Sequence, residues 1–224
     1  MKVGIACVSA LALALAAGAA QAQSPEVSFN IGATTDYVFR GVSQTDGEAA
    51  LQGGVDVSFG SFYVGAWAST VDFGDDTDAE LDVYGGYLFD AGGFDFDVGV
   101  ISYTYLNAPD GADYDLVEFK AAVSRSIDRW SVGAAAYYSP DFFGVDEEAT
   151  YIEANAGYEA SDVLSLSGAV GKQFLDVGAD YTTWNFGGEL AIAEFATLDL
   201  RYHDSHVDGP LGEERFTATL GFAF

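Results

Sequence analysis

The sequence predicts an all-β chain that follows a cleaved export signal and closes into a transmembrane antiparallel β-barrel of about 12 strands. Three observations predict it. Segments of about ten residues alternate apolar and polar side chains along the whole chain, the connections between them alternate short and long, and the last stretch, Arg215 to Phe224, is an amphipathic strand ending on an aromatic residue. A period of two marks a strand with one apolar face. Short turns on one side, long loops on the other and both chain ends on the short side make the outer-membrane arrangement, in which Phe224 belongs to the periplasmic aromatic girdle.

Residues 1–22 read as a secretory signal: Lys2 supplies the positive start, Val3 to Ala17 the apolar run, and Ala20-Gln21-Ala22 the cleavage site. The barrel is expected over residues 23–224. Cys7 is the one cysteine, and it lies within the apolar run with no small-residue cleavage motif before it, which argues against a lipid anchor. The exported chain therefore has no disulfide, and its sheet must hold it. A formal net charge of −27 excludes nucleic acid as a partner, because a phosphate backbone needs a basic surface. It leaves divalent cations, surface solvation or a cation-preferring pore. No apolar run after the signal approaches the ~20 residues of a membrane helix, so a membrane location requires strands.

The segments follow in order. The first sets Val27, Phe29, Ile31, Ala33, Tyr37 and Phe39 against Ser28, Asn30, Thr34, Asp36 and Arg40; the second sets Leu51, Val55, Val57 and Phe59 against Gln52, Asp56 and Ser58. The third, Phe62 to Val71, is apolar on both faces, and its pattern does not fix its register. Leu81, Val83, Tyr87 and Phe89 oppose Glu80, Asp82 and Tyr84 in the fourth, and Phe94, Phe96, Val98 and Val100 oppose Asp95 and Asp97 in the fifth. The sixth pits Val117, Phe119, Ala121 and Val123 against Glu118, Lys120 and Ser124, while Trp130, Val132, Ala134, Ala136 and Tyr138 line the seventh. Ile152, Ala154, Ala156 and Tyr158 oppose Tyr151, Glu153 and Asn155 in the eighth, and Leu164, Leu166 and Val170 mark the ninth. The tenth sets Trp184, Phe186 and Leu190 against Thr183, Asn185 and Glu189, and the eleventh sets Leu198, Leu200 and Tyr202 against Asp199, Arg201 and His203. The twelfth is the C-terminal strand. The count falls to ten if the third or ninth proves irregular.

A soluble β-sandwich would show the same alternation. The short-long rhythm of the connections, the aromatics at strand ends and the terminal Phe224 argue against it. Trp130, Phe94, Phe62 and Phe224 fall at the turn end, and Tyr37, Phe39, Tyr138, Trp184, Tyr202 and Phe216 at the loop end.

Thr34-Thr35-Asp36-Tyr37-Val38-Phe39-Arg40-Gly41-Val42-Ser43-Gln44-Thr45 resembles the amino-terminal hallmark of the TorF-type porin family, exported bacterial proteins with a T-D-Y-x-F-R-G-x-S-Q-T segment after the signal. The resemblance is tight over those residues and loose over the rest of the chain. It implies a porin-like outer-membrane protein and supplies no substrate.

Among the charged residues, Asp36 and Arg40 are expected on the inward face of the first strand, about 13 Å apart along it. Closure of the twelfth strand on the first would bring Arg215 near Arg40, with Arg201 one strand further. Asp82, Glu118 and Glu153, relieved by Lys120, face them across the lumen. Two readings follow: a constriction with arginines on one arc and carboxylates on the other, or inward charges that pair with each other and plug a narrow barrel. A conducting lumen of this sign favours cations. Asp72, Asp75, Asp76, Asp78 and Glu80 crowd one loop without the spacing of a calcium-binding EF loop, and read as a solvated acidic loop that can bridge weakly to lipopolysaccharide phosphates.

An enzyme is not expected. His203 and His206 are the two histidines, and neighbours in an extended segment point to opposite faces, so Asp204, Ser205 and His206 cannot form a triad among themselves. Nothing in the spacing of His203, His206 and Asp208 demands a metal, and no cofactor motif is present. The sequence therefore reads as a passive outer-membrane porin for small polar or cationic solutes. The alternative is a non-conducting surface barrel whose acidic loops bind divalent cations or a partner. Its expected partners are outer-membrane lipid and lipopolysaccharide, the solutes, and the barrel-assembly machinery through Phe224.

Overall fold

The computed structural model describes residues 24–224. The export-signal expectation for residues 1–22 lies outside the described residues. Twelve strands pair antiparallel, each with its neighbours in the chain, into a closed barrel: β1 (Glu26–Thr34), β4 (Ala50–Phe59), β5 (Phe62–Thr70), β6 (Ala79–Ala91), β7 (Phe94–Leu106), β8 (Leu116–Ile127), β9 (Trp130–Ser139), β10 (Ala149–Glu159), β11 (Leu164–Leu175), β12 (Tyr181–Ala193), β13 (Ala196–Ser205) and β14 (Arg215–Ala223). Between β1 and β4, β2 (Val38–Phe39) and β3 (Val42–Ser43) form a separate two-stranded hairpin. The seam is β1 on β14, in register from Asn30 opposite Ala223 to Thr34 opposite Thr219. Closure leaves no sheet edge, which is what a strand-built protein needs in a bilayer.

The outer face confirms the alternation. Val27 and Phe29 are each 54% exposed. Every other wall strand presents at least one exposed large apolar side chain, among them Leu51, Val64, Val83, Val98, Phe119, Val132, Ile152, Val170, Phe186, Leu200 and Leu220. An apolar belt that runs around the whole barrel has no place in water and matches a lipid-facing band. Its rims are aromatic. Phe62 packs on Tyr87, Trp130 on Tyr158, and Phe195 stacks with Phe222 and Phe224 at the turn end, while Trp184, Tyr202 and Phe216 form a run at the loop end. The barrel is thus of the bacterial outer-membrane type.

The third segment, ambiguous in sequence, is β5, and its register is now fixed. Gly65 pairs with Asp56 on one side and with Tyr84 on the other, which turns Tyr63, Gly65, Trp67 and Ser69 inward and Phe62 and Val64 to lipid. The ninth, β11, is regular throughout, so the wall has twelve strands.

The largest departure from expectation lies in the first segment. Its wall portion ends at Thr34, and residues 36–45 fold into the barrel. Tyr37 and Phe39 are not rim residues: Tyr37 packs edge-on against Trp67 and Phe39 against Tyr103, inside the lumen. Arg40 (φ 47) and Gly41 (φ 81) turn the hairpin, both in the left-handed region that a tight two-residue turn requires. Glycine is required at position 41 for a second reason, since a Cβ there would sit 2.3 Å from the Thr183 hydroxyl. The buried apolar clusters accordingly lie within the barrel, not between layers: one joins Tyr63, Trp67, Tyr84 and Leu88 with Tyr37, the other Val71, Tyr103, Tyr105 and Leu116 with Tyr37 and Phe39.

Candidate functional site

The lumen is built from the inward-facing residues of the wall and from the hairpin that enters it. The root of the hairpin is organised by Asp36, 7% exposed. Its Oδ1 accepts from the Ser43 hydroxyl (2.7 Å) and lies 3.0 Å from the Thr45 hydroxyl, and its Oδ2 accepts from Arg215 Nη1 (2.6 Å). Arg215 spends its other donors on the carbonyls of Pro210, Leu211 and Glu213 in the last long loop. Asp36 and Arg215 therefore tie the end of β1 to the start of β14 at the barrel seam. The backbone N–H of Gln44 donates to the Tyr37 carbonyl (2.7 Å), and that of Asp72 to the Gln44 carbonyl (2.8 Å), which fixes the hairpin to the next loop. Tyr37 then donates its phenol to Glu80 Oε1 on β6 (3.0 Å).

The tip reaches the far wall. Arg40 makes a bidentate pair with Glu118 on β8 (2.7 and 2.8 Å) and donates to Gln173 Oε1 on β11 (3.2 Å). Its guanidinium lies 4.9 Å from the Tyr137 ring centre, 4.3 Å from that of Tyr151 and 4.6 Å from that of its neighbour Phe39. The Tyr103 phenol donates to Glu118 Oε2 (3.0 Å), which orients the carboxylate. The Arg40 and Glu118 side chains are only 6% and 2% exposed. A carboxylate plane, an amide oxygen and aromatic faces are what a planar, weakly hydrated cation takes.

Below the hairpin, tyrosines lie flat on the wall over glycines of neighbouring strands. A Cβ on Gly65 would meet the Tyr84 ring at 2.5 Å and one on Gly86 would meet the Tyr63 phenol at 2.4 Å, so these glycines make room for rings that would otherwise project across the lumen. The Tyr84 phenol donates to Asp56 (2.6 Å) and that of Tyr63 to Asp97 (2.8 Å), whose other oxygen pairs with Lys120. Glu153 accepts from Tyr151 (3.0 Å) and Asn155 (3.2 Å). Arg201 chelates Asp199 (3.0 and 3.1 Å) and donates to Asn185 (2.7 Å) and Ser167 (2.8 Å).

Of the residues singled out in the sequence, Asp36 and Arg40 do not share a wall strand, because the hairpin carries both away from it. Arg215 meets Asp36, and Arg40 reaches across to Glu118. The inward cations Arg40, Lys120, Arg201 and Arg215 each sit on a carboxylate and do not form a separate arc. Asp82, cross-strand from Trp67 and 8% exposed, and Glu80, 1% exposed, have no cation in an ion pair among the described residues. Gln173, Tyr103, Tyr137 and Tyr151 were not among the residues singled out. Their signal was available, since each is a polar or aromatic residue on the inward parity of its strand.

His203 faces the lumen and bonds Thr217 (3.2 Å), whereas His206 is exposed in the last loop. Donors within the loops meet several of the loop carboxylates: Asp72 accepts from Gly74 N–H, Asp75 from Thr77 N–H and the Tyr114 phenol (both 2.8 Å), and Asp78 from Asn107. The bonds from Thr77 and Tyr114 hold the Asp75 carboxyl below its ordinary pKa.

Similar folds occur among outer-membrane channels. The NanC porin structure superposes with a TM-score of 0.59 at 11% identity, over 89% of this chain and 99% of that one. The KdgM porin in complex with disordered oligogalacturonate gives 0.60 at 8%, over 90% and 99%. An outer-membrane channel from Pseudomonas putida F1 gives 0.55 at 10%, over 92% and 96%. At these identities the likeness is one of fold. No curated protein matches the chain. Residues 19–222 match a family described as a bacterial protein of unknown function, Gcw_chp.

Proposed function

The chain belongs to the Gcw_chp family, and from that membership, which brings no activity with it, we propose a porin-like outer-membrane channel that passes small polar and cationic solutes by passive diffusion. The observation that carries the proposal is the pairing of a continuous lipid-facing belt with a polar, mostly acidic lumen that its own hairpin narrows. Porins share the fold, and the resemblance of residues 34–45 to TorF-type porins points the same way. Asp36, Arg40, Asp82, Glu118, Lys120, Glu153, Arg201 and Arg215 are the lining residues of this reading. Arg40 and Glu118 span the lumen, Asp36 and Arg215 pin the root, Lys120, Glu153 and Arg201 line the wall, and Asp82 stands beside Glu80 away from these cations.

The sign of the charge sets this lumen apart from one suited to an acidic saccharide such as the oligogalacturonate held by the KdgM porin. Carboxylates without cations favour entry of positive solutes, by focusing a negative potential in a narrow low-dielectric passage. Planar-bilayer recordings test this: a reversal potential of cation preference is expected, and an anion preference would sink it. The hairpin itself favours a second reading, a barrel closed at rest whose acidic loops bind divalent cations and through them lipopolysaccharide. Absence of any conductance from inserted protein, together with divalent-dependent binding to lipopolysaccharide, would select it. Phe224, stacked on Phe195 and 70% exposed, is the element proposed to engage the barrel-assembly machinery.

A further inference from the structure

The wall carries a complete guanidinium site whose occupant comes from the protein's own hairpin. We infer that the cage of Glu118, Gln173, Tyr137 and Tyr151 is a recognition site for small solutes bearing a guanidinium group, that Arg40 holds it at rest, and that such a solute displaces the hairpin tip.

The cage does not depend on Arg40 for its shape. Its members stand on β8, β9, β10 and β11, four consecutive strands of the closed ladder. The Tyr103 phenol of β7 orients Glu118. Tyr151 bonds Glu153 and lies over Gly171, whose missing Cβ would fall 2.1 Å from the Tyr151 phenol oxygen. The cage therefore stays in place when its occupant leaves, and its bidentate carboxylate and paired rings select a planar fork over a compact ammonium.

The occupant is held less firmly than the cage. Arg40 stands at φ 47, a left-handed conformation that strains a residue with a side chain. The hairpin that presents it has two rungs, Val38 with Ser43 and Phe39 with Val42. Its root is anchored separately, through Asp36 to Arg215 and Tyr37 to Glu80, so the tip can swing while the root stays fixed. A tethered ligand competes at an effective concentration on the order of millimolar. A free solute of the same chemistry thus displaces it only above that range, which suits a channel that responds to abundant solute and stays narrow without it.

The test uses the purified mature chain in detergent micelles, with methylguanidinium and methylammonium at equal ionic strength. In the wild type, methylguanidinium on the order of tens of millimolar should speed hydrogen exchange at the Val42 amide, in the rung with Phe39 nearest the tip, and methylammonium should not. In Arg40→Ala, methylguanidinium should raise the thermal midpoint at a concentration roughly tenfold below that which acts on the wild type. Glu118→Gln added to that variant should abolish the rise. Equal responses to the two cations, a response indifferent to Glu118, or no effect of methylguanidinium on wild-type exchange would each overturn the inference. The wild-type measurement decides alone if Arg40→Ala fails to fold. Neither readout requires conduction, so a silent bilayer recording would remove the channel reading and leave this one standing.

Discussion

Replacing Glu118 by Ala probes the hinge on which the lumen turns. The Arg40–Glu118 pair is almost wholly withdrawn from water, with side chains 6% and 2% exposed, and is joined by two short hydrogen bonds. Removing one partner of such a pair leaves a buried, uncompensated charge and costs about 3–5 kcal/mol. A rigid core would pay that in global stability. Here the charge sits on a hairpin with two rungs, so the tip can leave and hydrate its guanidinium instead. A shift of about 3 kcal/mol changes the docked-to-undocked ratio more than a hundredfold. Glu118→Ala should therefore raise single-channel conductance in planar bilayers and collapse exchange protection at Val42, in the rung next to the tip, while the barrel's thermal midpoint falls by less than loss of a rigid buried pair implies. A double-mutant cycle makes the reasoning stricter. Arg40→Ala with Glu118→Ala removes both charges, and should destabilise no more than Glu118→Ala alone. Additive losses, or unchanged conductance and protection in Glu118→Ala, would refute the account.

Other perturbations address separate parts of the molecule. Gly65→Ala would place a Cβ 2.5 Å from the Tyr84 ring, so Tyr84 should swing into the lumen and release Asp56. A loss of about 1–3 kcal/mol and a smaller conductance are expected, and Tyr84→Ala in the same chain should restore the conductance; an inert Gly65→Ala would contradict the packing. The Asp75 carboxyl has a depressed pKa in the folded loop, so its contribution is complete above the ordinary aspartate value of about 3.9 and is lost as the pH falls through the lower folded value. Carbon-detected titration of Asp75 should show that depression, and Tyr114→Phe should reduce it. Phe224→Ala removes the ring stacked on Phe195 and should slow insertion into the outer membrane far more than it alters ion selectivity; normal assembly in cells would count against its role at the rim.

The wall was legible because a bilayer leaves a strand few choices: backbone groups must pair between strands, and one face must be apolar. That rule reads the outer face alone. It failed at β5, where Tyr63 and Trp67 face an aromatic cluster on the inner side of the wall, so both faces looked apolar. It misled at the first segment, because Tyr37 and Phe39 keep the parity of the strand after the chain has left the wall at Thr34. The departure had a signal: Arg40-Gly41 stands between Val38-Phe39 and Val42-Ser43, two short runs separated by a turn pair. The partners had none. Asp36 and Arg215 are 179 positions apart and Arg40 and Gln173 are 133 apart, and alternation carries no information about which inward groups meet across a closed ring.

Those separations also order the steps of biogenesis. The hairpin emerges with the first strand, yet its tip binds residues of β8 and β11, and its root binds Arg215 at the start of β14. None of these partners is in place until the wall has been laid down and the ring shut. Through most of insertion, then, Asp36 and Arg40 must remain hydrated, and docking is the final event, available only to a barrel whose first and last strands have met in the right register. A slipped seam would move Arg215 relative to β1 and leave Asp36 without its cation. The same contacts that narrow the lumen thus depend on a seam closed in register.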